Sequence, residues 1–424
     1  MILKSDIVKN LSKLSLGTVA AQSIPLLFSP FIARLYSAEQ YGYFAAILAL
    51  VNIFSVIVNG RYELGIVLPE KDKDSNSLIV GSWFIGVFMS LVVFVGLWAF
   101  SDLISTQLKI DFGIVDSFIV SVMILSIAIW QPLNYFFIRQ KAFGTMVYNK
   151  IAKTASLTFV TILLGWMGWS YFSNGLVLGF FIGWVILLFF SIYQAKKIGL
   201  SILNVNWKEV KEQLKTYQDY PIFNSLPALL NSFGTQMGVY IFTIYFSQEI
   251  TGYYSFARQY VYVPMGIIGV SLSQVYFQRI SEKFKKKKSI IKELKLLILI
   301  LAAIGLLAIV VVQLFVVDTF EIVFGAKWIL SAVMAKTLIF YFAFQFLVSP
   351  LSNILNALNR IKLASIFPIV YVGSLSMLFL LPKQDLETFL PYYVLAESLP
   401  YLFYLALIIM AVMQYEGTLK KNSL

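Results

Sequence analysis

The chain contains no cysteine and no histidine. The first absence excludes disulfides, thiolate nucleophiles and Cys-ligated metals. The second removes the commonest general base and the commonest metal ligand. Charge is scarce as well. Only 13% of the residues are charged against 59% hydrophobic, and the mean hydropathy of +0.81 lies outside the range of soluble domains. Such a composition belongs to an integral membrane protein, and nothing in it calls for an enzyme, a metal or an organic cofactor. A cleavable leader is not expected either. Lys4, Lys9 and Lys13 precede an apolar run long enough to span, and no small-residue cleavage site follows it.

About 30 Å of hydrocarbon at 1.5 Å per residue needs about 20 apolar residues. By that measure the sequence predicts twelve spans, roughly 15–36, 41–67, 77–100, 112–138, 146–166, 171–193, 218–244, 251–277, 290–317, 329–357, 363–381 and 388–413. Every second connection is basic. All Lys and Arg residues except Arg34, Arg61, Lys109, Arg258, Lys327, Lys336 and Lys383 fall in those connections or at the two termini. The positive-inside rule then predicts that both termini are cytoplasmic. This alternation also explains the net charge of +12. The run FKKKK at 284–288 lies where anionic membrane lipids attract each basic group by about 1 kcal/mol. It lacks the aromatic or groove-reading side chains of a nucleic-acid site, so nucleic acid is not an expected partner.

Two heptapeptides repeat one another: SAEQYGY at 37–43 and SQEITGY at 247–253. Pro-Leu recurs in the fourth span of each half, in QPLNYFFIRQK at 131–141 and SPLSNILNALNRIK at 349–362. The fold expected is an all-α polytopic membrane protein of twelve transmembrane helices, in two parallel-repeat six-helix lobes. The N-terminal lobe would be 1–193, the C-terminal lobe 217–424, and 194–216 a cytoplasmic amphipathic linker. In that linker Trp207, Val210 and Leu214 share one helical face, which predicts a helix lying in the membrane surface that ties the lobes without locking them. Ser37 and Ser247 read as N-caps of short interfacial turns, and Gly42 and Gly252 as the points where the chain reverses.

Four stretches carry a family resemblance: LGTVAAQSIPLLFSPFIARLYSAEQYGYFA (16–45), GRYELGIVLPEKDKDS (60–75), YPIFNSLPALLNS (220–232) and TGYYSFARQYVYVPMGIIGVSLSQVYFQRISE (251–282). They resemble the Wzx oligosaccharide flippases, which share a superfamily with lipid II flippases and the multidrug and toxin extrusion proteins. The resemblance runs over most of the chain and is strongest in spans 1, 2, 7 and 8. It implies transfer of undecaprenyl-diphosphate-linked oligosaccharides from the cytoplasmic to the periplasmic leaflet of the bacterial inner membrane, for O-antigen or capsule assembly. A polysaccharide polymerase and a chain-length regulator would be the associated proteins.

A charge within a span costs about 2.5 to 3.5 kcal/mol even on lenient insertion scales, so the few present mark a cavity or a partner. Because spans 1, 2, 7 and 8 line the cavity in the resembled superfamily, Arg34, Arg61 and Arg258 are implied to face it, and Lys336 in span 10 joins them as a diphosphate-binding candidate. Arginine gives a diphosphate a permanently charged, bidentate partner. Glu63, Asp116, Asp219 and Glu397 are candidates for coupling to H+ or Na+, or for balancing those cations. Two other functions compete: a cation-coupled multidrug exporter, expected to carry acidic cavity helices, and a membrane polysaccharide polymerase, expected to carry a sizeable external loop.

Overall fold

A computed structural model describes residues 17–169, 174–202, 205–382 and 385–421. The described residues are helical with short connections, and twelve helices stand where the hydropathy places twelve spans. Helices 1 to 6 are Gly17–Leu35, Ala38–Ser55, Asp72–Ala99, Ile114–Arg139, Phe143–Trp166 and Gly175–Ile198. Helix 7 is Asp219–Tyr245, and helix 8 runs from Gln248 to Lys285 in two α-helical pieces. Helices 9 to 12 are Ile291–Phe324, Ile329–Val348, Ile366–Ser376 and Leu386–Lys421. Seven of the twelve, helices 1, 3, 4, 6, 9, 10 and 12, are each long and apolar enough to cross a bilayer. Among the remaining five are those broken or burdened by charge: helix 2 stops at Ser55, helix 5 carries Lys150 and Lys153, and helix 8 carries Arg258. The basic residues Lys4, Lys9, Lys13 and Lys383 lie outside the described residues.

Contacts group the chain into two compact units, residues up to 252 and residues from 253 onward. In the first unit, helix 2 begins with a capping box. The Gln40 amide donates to Ser37 Oγ (3.2 Å), and the Ser37 amide donates to Gln40 Oε1 (2.9 Å). Ser247 caps the start of helix 8 in the same way, accepting from the Ile250 amide at 3.2 Å. The repeated serines therefore open long helices, not the short interfacial turns expected from sequence.

The repeated glycines correct a second expectation. Neither Gly42 nor Gly252 has a positive φ, and both lie inside helices. They sit where helix 2 and the start of helix 8 cross. A Cβ on Gly42 would meet the Gln248 carbonyl, and one on Gly252 the Ala38 carbonyl; each would also come within 3.0 Å of the other glycine's amide nitrogen. Two backbones touch here because neither carries a side chain, the close approach that small residues give membrane helices.

The linker helix, Trp207–Thr216, also departs from expectation. Its apolar face lies on helix 3. Val210 is fully buried, Leu214 fits against Gly81, and the Trp207 and Phe84 rings meet edge to face at 5.0 Å. Lys73 donates to Glu209 at 2.6 Å beside this contact. Three apolar side chains on one face bury equally well in a protein groove as in lipid, and Gly81 supplies the groove. The outward face of helix 3 is the lipid-facing type, with Phe84, Phe88, Leu91, Val95 and Trp98 all exposed.

In the second unit, Trp328 is fully buried and stacks on Phe256 at 3.7 Å, with Phe324 against the other side of that ring at 4.9 Å. Helix 10 ends by tightening into a 3-10 turn over Ser349–Ser352 around Pro350. Helix 9 presents Leu299, Leu306, Leu307, Val310 and Leu314 outward, again as a lipid-facing stripe.

Candidate functional site

Helix 2 does not continue to 67 as its hydropathy suggests. Gly60 and Arg61 both take left-handed backbone (φ 57° and 62°), after which a 3-10 turn runs over Tyr62–Gly65. For arginine this conformation is strained, and such strain persists only where the surroundings hold it. Asn59 does the holding. Its Nδ2 donates to the Ala128 carbonyl (3.0 Å) and to Gln131 Oε1 (3.1 Å), while Gln131 Nε2 donates to the Ser55 carbonyl (3.2 Å). Gly86 leaves the room that Asn59 occupies.

The break presents Arg61 at the basic end of helix 2. Arg61 Nη1 lies 3.5 Å from Glu63 Oε1, the pairing its sequence spacing suggests. Glu63 is buried and Arg61 only partly so, with 25% of its side chain exposed. Arg61 Nε and Glu63 Oε2 have no hydrogen-bond partner. Tyr135 of helix 4 lies within electrostatic range of both charges, and Tyr220 of helix 7 lies within range of Tyr135.

The second unit holds a larger polar cluster. Arg258 opens a five-residue π-helical stretch, Arg258–Tyr262, between the two α-helical pieces of helix 8. Pro264, which has no amide to donate, follows directly, and an interrupted ladder is where such a wide turn forms. Ten residues separate Gln248 from Arg258, a rise of about 15 Å, deeper than two turns into the helix. Glu397 feels the charge of Arg258, and both its oxygens are engaged: Tyr393 donates to Oε1 at 2.5 Å and Tyr371 to Oε2 at 2.7 Å. Tyr254 extends the chain, with its hydroxyl 2.7 Å from that of Tyr393. Glu397 is 3% exposed, whereas Arg258 is partly exposed. Arg258 itself makes no ion pair or hydrogen bond among the described residues. A cavity of about 290 Å³ begins at the other end of the π stretch, lined by Tyr262, Gly266, Gly269, Ser273, Pro350 and Asn353.

The remaining candidates fall elsewhere. Asp116 sits in the first turn of helix 4 and accepts from the Tyr43 hydroxyl through Oδ1 and from the Gly113 amide through Oδ2 (3.0 Å). That is a helix cap, with no oxygen left over. Asp219 is exposed at the first residue of helix 7, the favourable end of the helix dipole for an acid. Arg34 is exposed in the last turn of helix 1, the favourable end for a base. Lys336 is half-buried on helix 10, and the Gln313 amide donates to its carbonyl at 2.6 Å. The structure thus pairs Arg61 with Glu63, and places Glu397 within electrostatic range of Arg258 without a direct bond. The partnering phenols Tyr135, Tyr371 and Tyr393 were not singled out in the sequence, where tyrosine within a span looks like any other aromatic.

The sequence matches the model of a family described as polysaccharide biosynthesis protein over residues 31–333. Several solved structures are similar in fold. The lipid II flippase MurJ in an inward-closed conformation aligns with a TM-score of 0.74 at 17% identity, covering 97% of this chain and 90% of that one. An inward-facing multidrug resistance transporter of the MATE family, in the MOP superfamily, aligns at 0.65 with 12% identity, covering 97% and 100%. A MOP-superfamily transporter from Pyrococcus furiosus, described as having a binding pocket of reverse polarity, aligns at 0.64 with 12% identity and 96% of each chain. At these identities the likeness is one of fold. No curated protein matches the sequence.

Proposed function

Since this chain belongs to the polysaccharide biosynthesis protein family and is built as a multi-pass MOP-superfamily transporter, we propose that it flips undecaprenyl-diphosphate-linked oligosaccharides across the bacterial inner membrane. The cargo would move from the cytoplasmic to the periplasmic leaflet for O-antigen or capsule assembly, by alternating access of lobes 1–193 and 217–424, with both termini cytoplasmic. A polymerase and a chain-length regulator would take over the product.

Arg258 is the observation that carries this reading. Its guanidinium lies about 15 Å along helix 8, its neighbouring carboxylate is already held by two tyrosines, and its five donors are uncommitted. An uncommitted fork at that depth suits a phosphate, which accepts two parallel bonds. Arg61 supplies a second cation near the cytoplasmic entrance, drawn off Glu63 as the diphosphate arrives. A drug exporter needs an available carboxylate for its cation. Here Asp116 and Glu397 have both oxygens engaged, Glu63 faces Arg61, and Asp219 lies exposed at the very start of helix 7.

The test replaces Arg258 with Ala, Gln and Lys and measures translocation of a lipid-linked oligosaccharide in proteoliposomes, normalised to folded protein. A hydrogen bond to a charged group contributes about 1.5 to 3 kcal/mol, so Ala and Gln should slow translocation by about ten- to a hundredfold, with partial recovery for Lys. Full activity in well-inserted Arg258→Gln would end this assignment.

A further inference from the structure

Lys153 has no part in the site above. It lies ten residues into the 24-residue helix 5, about 15 Å from the helix start and so near its middle. Its Nζ sits 3.3 Å from the ring centroid of Trp184 and 5.3 Å from that of Phe180, both on helix 6. No carboxylate lies within ion-pair distance of it among the described residues. Lys150, one turn away, is committed, donating to Thr18 Oγ1 at 2.9 Å. Trp184 is 8% exposed and locked edge to face against Trp130 at 5.5 Å and Phe180 at 6.3 Å, yet its indole Nε1 finds no acceptor among the described residues.

Two donors, an ammonium and an indole N–H, are therefore kept together at the middle of helix 5 with no anion to bind them among the described residues. An aromatic face steadies a cation but does not neutralise it. What both groups lack is an acceptor with negative charge. We propose that Lys153 and Trp184 form an anion-binding site for the phosphate of the lipid-linked cargo, with the indole face holding the ammonium until that phosphate arrives. This rests on the flippase reading and adds to it a cationic site borne by the first six helices, apart from the arginines of helices 2 and 8.

The experiment uses the full-length purified protein and geranylgeranyl diphosphate as probe, read by tryptophan fluorescence, with geranylgeraniol and inorganic pyrophosphate as comparisons. Lys153→Met should weaken binding of the lipid diphosphate by about ten- to a hundredfold. Lys153→Arg should bind within a few-fold of wild type, and Trp184→Phe should lose most of the signal change. The alcohol should bind equally weakly to all variants. If pyrophosphate alone competes as well as the lipid does, the site is for free anions and the lipid assignment fails. Should Lys153→Met not fold, Lys153→Cys gives the chain a single thiol, and aminoethylation restores the cation in place. Equal affinity before and after aminoethylation, or wild-type affinity in folded Lys153→Met, overturns the site alone. A wild-type protein that binds no isoprenyl diphosphate overturns the flippase reading with it.

Discussion

Placing a methyl group at Gly42 sets two known terms against each other. Alanine is favoured over glycine within a helix by about 1 kcal/mol. Against that, the new Cβ meets the Gln248 carbonyl and comes to 3.0 Å from the Gly252 nitrogen. Overpacking costs about 1 to 3 kcal/mol when side chains can yield, and here the obstacle is backbone, so the upper end applies. Gly42→Ala should be destabilised by a net of about 1 to 2 kcal/mol. The internal control is Gly96→Ala on helix 3, where nothing lies within 4 Å. The same propensity gain acts there without a clash, so its sign is opposite.

The assay is the apparent melting temperature of detergent-purified protein, where 1 kcal/mol is worth about 2 to 4 °C for a unit of this size. Gly42→Ala and Gly252→Ala should each melt lower than wild type and Gly96→Ala slightly higher. Adding the second glycine substitution to the first should cost less than it does alone, because helices already pushed apart by one methyl accommodate the other. A Gly42→Ala protein as stable as Gly96→Ala would refute the backbone crossing.

Four further outcomes follow from other residues. Arg61→Gly relieves left-handed strain of about 1 to 2 kcal/mol but leaves the buried Glu63 without its cation, so the single variant should lose both stability and transport, and adding Glu63→Gln should restore stability without transport; a double variant as unstable as the single one would deny that the strain serves the site. Gly81→Val pushes a side chain into Leu214 and Val210, and limited proteolysis should then cut within 207–216, a segment protected in wild type. Acid should weaken the same contact. The hydrogen bond from Lys73 holds the Glu209 carboxyl below the usual carboxylate range, so its contribution is present above that range and is lost as pH falls below about 4, which hydrogen exchange across 207–216 would record. For topology, a thiol at Lys286 should be labelled only after permeabilisation and one at Asp102 from outside; the reverse pattern would invert the orientation.

Much of the architecture was legible because hydropathy and charge act over whole segments. Twelve apolar runs separated by alternating basic connections correspond to twelve helices, and the capping serines were recognisable from the residues alone. What sequence could not show was where one segment meets another. Trp207, Val210 and Leu214 give the same periodicity whether lipid or helix 3 covers them; only Gly81 decides, and a glycine in an apolar run announces nothing. Lys153 was hidden for a related reason. It stands among Arg139, Lys141 and Lys150, so it reads as the end of a basic connection, although helix 5 already starts at Phe143. The pairing of Arg61 with Glu63 was visible in their spacing, whereas the electrostatic influence of Arg258 on Glu397 joins helices 8 and 12 and required the fold.

The internal repeat separates what packs from what carries charge. Ser37 and Ser247 both cap, and Gly42 and Gly252 touch each other, at positions 210 residues apart. Carried over by the same interval, Arg61 corresponds to Ser271 and Arg258 to Leu48, so neither arginine has a counterpart. The helix distortions diverge as well. Helix 2 breaks after Ser55 and turns left-handed at Gly60 and Arg61, whereas helix 8 widens into a π turn at 258–262. Pro132 is absorbed inside an unbroken helix 4, whereas Pro350 brings helix 10 to a 3-10 turn. Packing positions recur because both six-helix sets must solve the same crossing. On the flippase reading proposed above, unlike cations suit a cargo that moves one way, since a site duplicated with equal affinity would hold the cargo in place without passing it on.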